Sequence, residues 1–169
     1  MTALRLEAEL ADGKFFCLES DTSFLTHPSG LLENELRSGE YYDARLAVDG
    51  WCLPEYDDRD WKPVIRVTPP RGKMRICQAA PIQEYEQRKA VSIIPYEDGY
   101  LYDFGVDAAG VCELKISGFP GQKVEISYQE WYHDGILDKR NIMFPEADSP
   151  YISRVQDFCY ICRGDREER

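Results

Sequence analysis

Cys112-Glu113-Leu114-Lys115-Ile116-Ser117-Gly118-Phe119-Pro120-Gly121-Gln122-Lys123-Val124-Glu125-Ile126-Ser127-Tyr128-Gln129 sets the fold class. Cys112, Leu114 and Ile116 alternate with Glu113, Lys115 and Ser117, and Val124, Ile126 and Tyr128 alternate with Glu125, Ser127 and Gln129. A period of two puts one apolar and one polar face on an extended chain, so each run reads as a half-buried strand. Gly118-Phe119-Pro120-Gly121 between them supplies turn residues, and the whole reads as a hairpin.

The pattern repeats outward in both directions. Leu4, Leu6, Ala8 and Leu10 alternate with Arg5, Glu7 and Glu9 before a turn at Asp12-Gly13. Further strand candidates are 15–18, 64–68, 74–78, 82–86, 91–94, 100–104 and 155–162, with His133 in the hairpin-like turn Trp131-Tyr132-His133-Asp134-Gly135. No window of helical length keeps an i, i+3, i+4 apolar stripe; a short helical turn is expected only at Asp57–Trp61, where Asp57 or Asp58 caps free amides. The class is all-β, and many short antiparallel strands with one apolar face close as a sandwich or a barrel. The apolar members of the runs, including Leu6, Leu114, Ile116, Val124, Ile126 and Tyr128, are expected inside, with Trp61.

Two blocks carry a family resemblance. Gly39-Glu40-Tyr41-Tyr42-Asp43-Ala44-Arg45 is followed by Gly50-Trp51 and by Asp57-Asp58-Arg59-Asp60-Trp61; later come Tyr102-Asp103-Phe104-Gly105 and Gly118, Gly121, Val124, Tyr128 and Glu130. Gly135-Ile136-Leu137 and Tyr160-Ile161-Cys162-Arg163-Gly164 complete the set. Order and spacing resemble the N-terminal β-sandwich region of bacterial α-L-rhamnosidases of glycoside hydrolase family 78. Val106 and Asp107 stand where that family has Gln and Asn, and the family's GW pair is not found at Gly110-Val111.

The resemblance implies an antiparallel β-sandwich, jelly-roll-like, in two small domains or parts of them. Residues 1–70 would be the C-terminal part of a first sandwich, and residues 71–169 a second sandwich lacking its last strands. Pro69-Pro70-Arg71-Gly72 marks the break, because proline cannot donate to a ladder. In such enzymes a helical barrel downstream holds the acid and base carboxyls that cleave the glycosidic bond with inversion. This chain is then a non-catalytic segment that braces the barrel, its expected partner. The alternatives are an independent carbohydrate-binding module for rhamnose-containing glycans and a plain interaction domain. Open sheet edges would further favour a homodimer.

Composition bounds the function independently. The 169 residues, 43% hydrophobic and 12% aromatic, can fill a core. With 31 acidic against 20 basic residues the net charge is -11, which repels phosphate backbones and anionic lipid, so neither nucleic acid nor membrane is an expected partner. There is no apolar run of about 18 residues and no secretion signal. Cys17, Cys52, Cys77 and Cys112 lie in strand-like runs spaced unlike a disulfide scaffold, and read as reduced, buried thiols of a cytoplasmic protein.

No residue is assigned as catalytic, cofactor-binding or metal-ligating. Glu55, Asp57, Asp58 and Asp60 offer oxygen ligands to calcium, but lack the alternating spacing of a calcium loop; the plainer reading is a solvated turn with Trp61 packed inward. Cys159-Tyr160-Ile161-Cys162 has CxxC spacing within a strand pattern, and only His27 and His133 are available as further zinc ligands. Sugars stack on aromatic rings, which makes Tyr41, Tyr42, Trp51, Tyr56, Trp61 and Trp131 the candidates for carbohydrate, against the alternative that they are core anchors.

Overall fold

A computed structural model describes residues 3–69, 71–73, 75, 77–138, 140, 142 and 155–168. Its strands are β1 (Arg5–Glu9), β2 (Phe15–Glu19), β3 (Leu25–Thr26), β4 (Leu31–Glu35), β5 (Gly39–Asp43) and β6 (Lys62–Pro63), followed by β7 (Ser92–Tyr96), β8 (Gly99–Asp103), β9 (Lys123–Ser127), β10 (Trp131–His133), β11 (Ile136–Asp138) and β12 (Asp157–Ile161). The chain is all-β, and among the described residues a single 3-10 turn, Ala44–Leu46, is the only helical element. Asp43 caps that turn, accepting from the Arg45 amide and pairing with the Arg45 guanidinium at 2.7 Å. Among the described residues no helix is long and apolar enough to cross a membrane.

Three antiparallel hairpins, β1·β2, β7·β8 and β10·β11, stand as two-stranded ribbons, and β3·β6 is a short two-residue pair. The β10·β11 turn is Asp134-Gly135, both at positive φ (51° and 81°), the backbone a tight two-residue hairpin turn requires. The largest sheet has the order β4-β5-β12-β9. Within it β12 runs parallel to β5, with Cys159 beside Tyr41 and Tyr160 beside Tyr42, and antiparallel to β9. One sheet thus takes two strands from each side of the proline break.

The hairpin expected at 112–128 does not form. Residues 112–117 carry only an isolated bridge, Ile116 to Glu168, whereas β9 pairs with β12. The turn explains why: the Gly121 amide donates to the Cys162 carbonyl at 2.8 Å and the Cys162 amide donates to the Gln122 carbonyl at 2.9 Å. The turn's backbone groups are therefore committed to β12. Asp57–Trp61 is a non-helical turn closed by the Trp61 amide on the Asp58 carbonyl, in which the Asp57 carboxylate accepts from the Arg59 amide at 3.3 Å and pairs with the Arg59 guanidinium. Expected strands at 64–68 and 82–86 find no strand partner among the described residues. The one at 74–78 falls partly outside them.

Burial is concentrated at β5 and β12, the two strands of the largest sheet that are flanked on both sides. Ala44, Val155, Cys159, Ile161 and Cys162 are buried, with Ser38, Asp43 and Glu168. Val124, Ile126 and Tyr128 keep the expected phase but are half-buried, as are Leu114, Ile116 and Trp61; Leu6 is exposed. Leu6 lies on a two-stranded ribbon, which covers neither of its own faces, and Val124 and Ile126 lie on β9, an edge strand of the four-stranded sheet. The chain exposes 15377 Å², where a compact monomer of this size exposes about 8,500 Å². Cysteine burial departs from expectation: all six are free, Cys159 and Cys162 buried, Cys17 exposed on the β1·β2 ribbon, and Cys52, Cys77 and Cys112 exposed outside any strand.

Candidate functional site

The short ladder between β3 and β6 brings Thr26 opposite Lys62 and Leu25 opposite Pro63. The Val64 amide extends it by donating to the Phe24 carbonyl at 2.9 Å. The residues just outside the ladder, His27-Pro28 on one side and Asp60-Trp61 on the other, are thereby set against each other. Thr26, His27, Pro28, Asp60 and Lys62 line an open cleft of about 580 Å³.

Aromatic contacts fix the wall of this cleft. His27 stacks on Trp61 with centroids 5.5 Å apart and planes 28° from parallel, and Tyr56 meets Trp61 edge-on at 5.7 Å. His27 Nδ1 lies 2.5 Å from the Pro28 carbonyl oxygen. A carbonyl only accepts, so Nδ1 is the donor in this contact. The neighbouring Asp57 is engaged by Arg59, whose guanidinium holds its carboxyl below the usual range. The side chains of Thr26, Asp60 and Lys62 make no hydrogen bond or ion pair with other described residues.

The other aromatic candidates are scattered. Tyr42 is half-buried and stacks on Tyr160, Tyr41 is half-buried on the same strand, and Trp51 and Trp131 are exposed and outside the His27–Trp61–Tyr56 ring contacts. Tyr56 and Trp61 are thus the sequence candidates that the fold unites. His27 entered the sequence reading only as a metal ligand; Thr26, Pro28 and Lys62 were not singled out, because a two-residue strand leaves no periodic trace. Among the described residues no three His, Cys, Asp or Glu side chains gather into a metal-holding group. His133 ends β10 exposed, 3.2 Å from Asp134.

A second polar centre closes the chain's end. Glu168, buried, accepts from the Tyr160 hydroxyl at 2.8 Å and from the amides of Arg163, Gly164 and Asp165 at 2.9, 2.9 and 3.2 Å. Arg163 pairs with Asp49 and with Asp165, tying the turn after residue 48 to the end of β12. Burial pushes the Cys162 thiol up, which suppresses its thiolate. The geometry here is that of a structural clasp.

Residues 1–86 match the α-L-rhamnosidase N-terminal domain, and residues 95–169 match the bacterial α-L-rhamnosidase concanavalin-like domain. The chain belongs to the α-L-rhamnosidase family. It is 26% identical over 165 residues to an α-L-rhamnosidase of Formosa agariphila, covering 96% of this chain and 17% of that protein. The structure of an α-L-rhamnosidase from Dictyoglumus thermophilum superposes with a TM-score of 0.83 at 28% identity, covering 97% of this chain and 18% of that one. A Streptomyces avermitilis α-L-rhamnosidase complexed with L-rhamnose gives 0.84 at 26% identity, with 97% and 15% covered. The chain is an N-terminal portion of such enzymes and spans less than a fifth of the relatives it matches. Both matched stretches feed the same sheet: β4 and β5 come from the first, β9 and β12 from the second.

Proposed function

We infer that this chain is a non-catalytic accessory β-sandwich region of an α-L-rhamnosidase, bracing the part of the parent enzyme that hydrolyses terminal α-L-rhamnose. The observation that carries the reading is the accessible surface, 15377 Å², far above the value for a self-contained domain. Phe15, Phe16 and Leu18 on β2 and Ile93 and Ile94 on β7 are exposed on two-stranded ribbons, which suits surfaces made to lie against more protein.

The carboxyls support the same reading. Inverting hydrolysis needs one carboxylic acid held protonated near neutral pH. Asp12, Asp21, Glu35, Asp43, Asp57, Asp138 and Glu168 are all displaced downward, each held as a carboxylate by donors around it. The 169-residue chain should therefore release no nitrophenol from p-nitrophenyl α-L-rhamnoside. Turnover that persists through purification and disappears on replacing carboxylates of this chain would overturn the reading.

A further inference from the structure

We propose that residues 1–77 and 91–169 are each other's obligate binding partner, joined across the β5·β12 seam, and that the connecting stretch 78–90 can be cut without parting them. The distribution of burial points there first. Ser38, Asp43 and Ala44 are buried on one side of the connection, and Val155, Cys159, Ile161, Cys162 and Glu168 on the other. All stand on or beside the seam, Glu168 through its bond to Tyr160. Among the described residues no buried side chain lies on β1·β2, β7·β8 or β10·β11, so neither half encloses a core of its own to offset the entropy of ordering its chain.

The contacts that cross the seam are backbone, aromatic and ionic. Cys159, Tyr160 and Ile161 pair with Tyr41, Tyr42 and Asp43, and just before them the Gln156 and Asp157 amides donate to the Arg37 and Ser38 carbonyls at 2.8 and 3.1 Å. Without β12, that edge of β5 would stand unpaired. The Tyr42–Tyr160 stack and the Arg163–Asp49 pair at 2.9 Å add side-chain contacts between the same two halves. More than a hundred residues separate β5 from β12, and a parallel pair cannot be set by a tight turn. Its register is therefore fixed by these contacts and not by the connection.

The connection itself lies outside these contacts. Residues 77–89 are exposed and belong to no strand, with Ile82 and Tyr85 almost wholly exposed. Gln87 bonds Glu84 and Arg88 bonds Glu86, both within the stretch. It also falls where one matched domain ends, at residue 86, and the next begins, at residue 95. Cutting it removes only the effective concentration that the link supplies.

The test starts from the whole chain, with an affinity tag before residue 1 and a specific protease site placed between Gln83 and Glu84. After cleavage on the affinity matrix, the second half should stay with the tagged half through native washes and leave in urea. Tyr160→Ala should release it at least roughly tenfold faster, and Arg163→Ala, a milder change at an exposed ion pair, about two- to fivefold faster. Phe16→Lys, on β2 and outside the seam, should release it no faster, which separates the seam from contact between copies. Loss of the second half in native washes, seam variants that hold it as long as the parent chain does, or release by Phe16→Lys instead would overturn the proposal.

Discussion

Tyr42 and Tyr160 lie flat against each other, ring centroids 5.9 Å apart and planes 8° from parallel, as side-by-side neighbours on β5 and β12. They stand on the one parallel seam among the described strands. The Tyr160 hydroxyl continues past the stack to the Glu168 carboxylate at 2.8 Å. A single side chain thus joins the seam to the clasp that holds the chain's last residues.

Tyr160→Phe keeps the stack and removes the hydrogen bond to a buried carboxylate, so it should cost about 1–2 kcal/mol. Tyr160→Ala also removes the ring and should cost about 2–4 kcal/mol. Urea denaturation separates the two, and equal losses would show that the stack contributes nothing.

Acid should loosen this clasp. Burial acts to raise the Glu168 carboxyl, but the amides of Arg163 and Gly164, the Tyr160 hydroxyl and the Asp165 amide outweigh it and hold the group below its ordinary value. A folded value below the unfolded one adds stability that is complete above about pH 4.5 and drains away as pH falls through the folded value. Asp43 acts in the same direction, and Asp138 is brought to about 2 by Arg140. Denaturation midpoints should fall from pH 5 toward pH 2, less steeply in Glu168→Gln. An identical acid slope in that variant would assign the loss to other groups.

Thiol labelling reports the unusual distribution of burial. Cys17, Cys52, Cys77 and Cys112 are exposed, and Cys159 and Cys162 are buried. A thiol-exchange reagent should modify the first four promptly in native buffer and the last two only with denaturant. Prompt labelling at Cys162 would mean that β12 is not a protected central strand.

The uncovered ribbons should drive self-association. Sedimentation at micromolar concentration should show a dimer or larger species, and added salt should strengthen it, since a charge of -11 repels only within a Debye length of about 8 Å at physiological salt. Phe16→Lys, on an exposed face of β2, should shift the balance toward monomer. A monomer unchanged across the concentration range would show that these faces do not suffice for contact between copies.

The sequence was most readable where structure is local. Alternation located β1, β2, β7, β8, β9 and β12 to within a few residues, and Asp134-Gly135 marked the β10·β11 turn. Pairing was less readable, since β9 could take either neighbouring run by pattern, and the choice was made by Gly121, Gln122 and Cys162 backbone groups. Burial was misjudged because alternation states which face is apolar, not whether anything covers it. The cleft at His27 left almost no trace in the sequence, because it depends on two residue pairs brought together by a two-residue ladder.

Gly39 shows how tightly the parallel seam is drawn. Its φ is 103°, and a Cβ there would collide with the carbonyl group of Asp157, the first residue of β12. That closeness has a temporal side. During synthesis β5 leaves the ribosome more than a hundred residues before β12, an interval on the order of ten seconds at about 5–20 residues per second. Throughout it, β5 has only β4 beside it, and its other edge offers free amides and carbonyls to any passing chain. The nascent protein must therefore keep a vacancy open for a strand not yet made, and the order of translation becomes part of how this region reaches its fold.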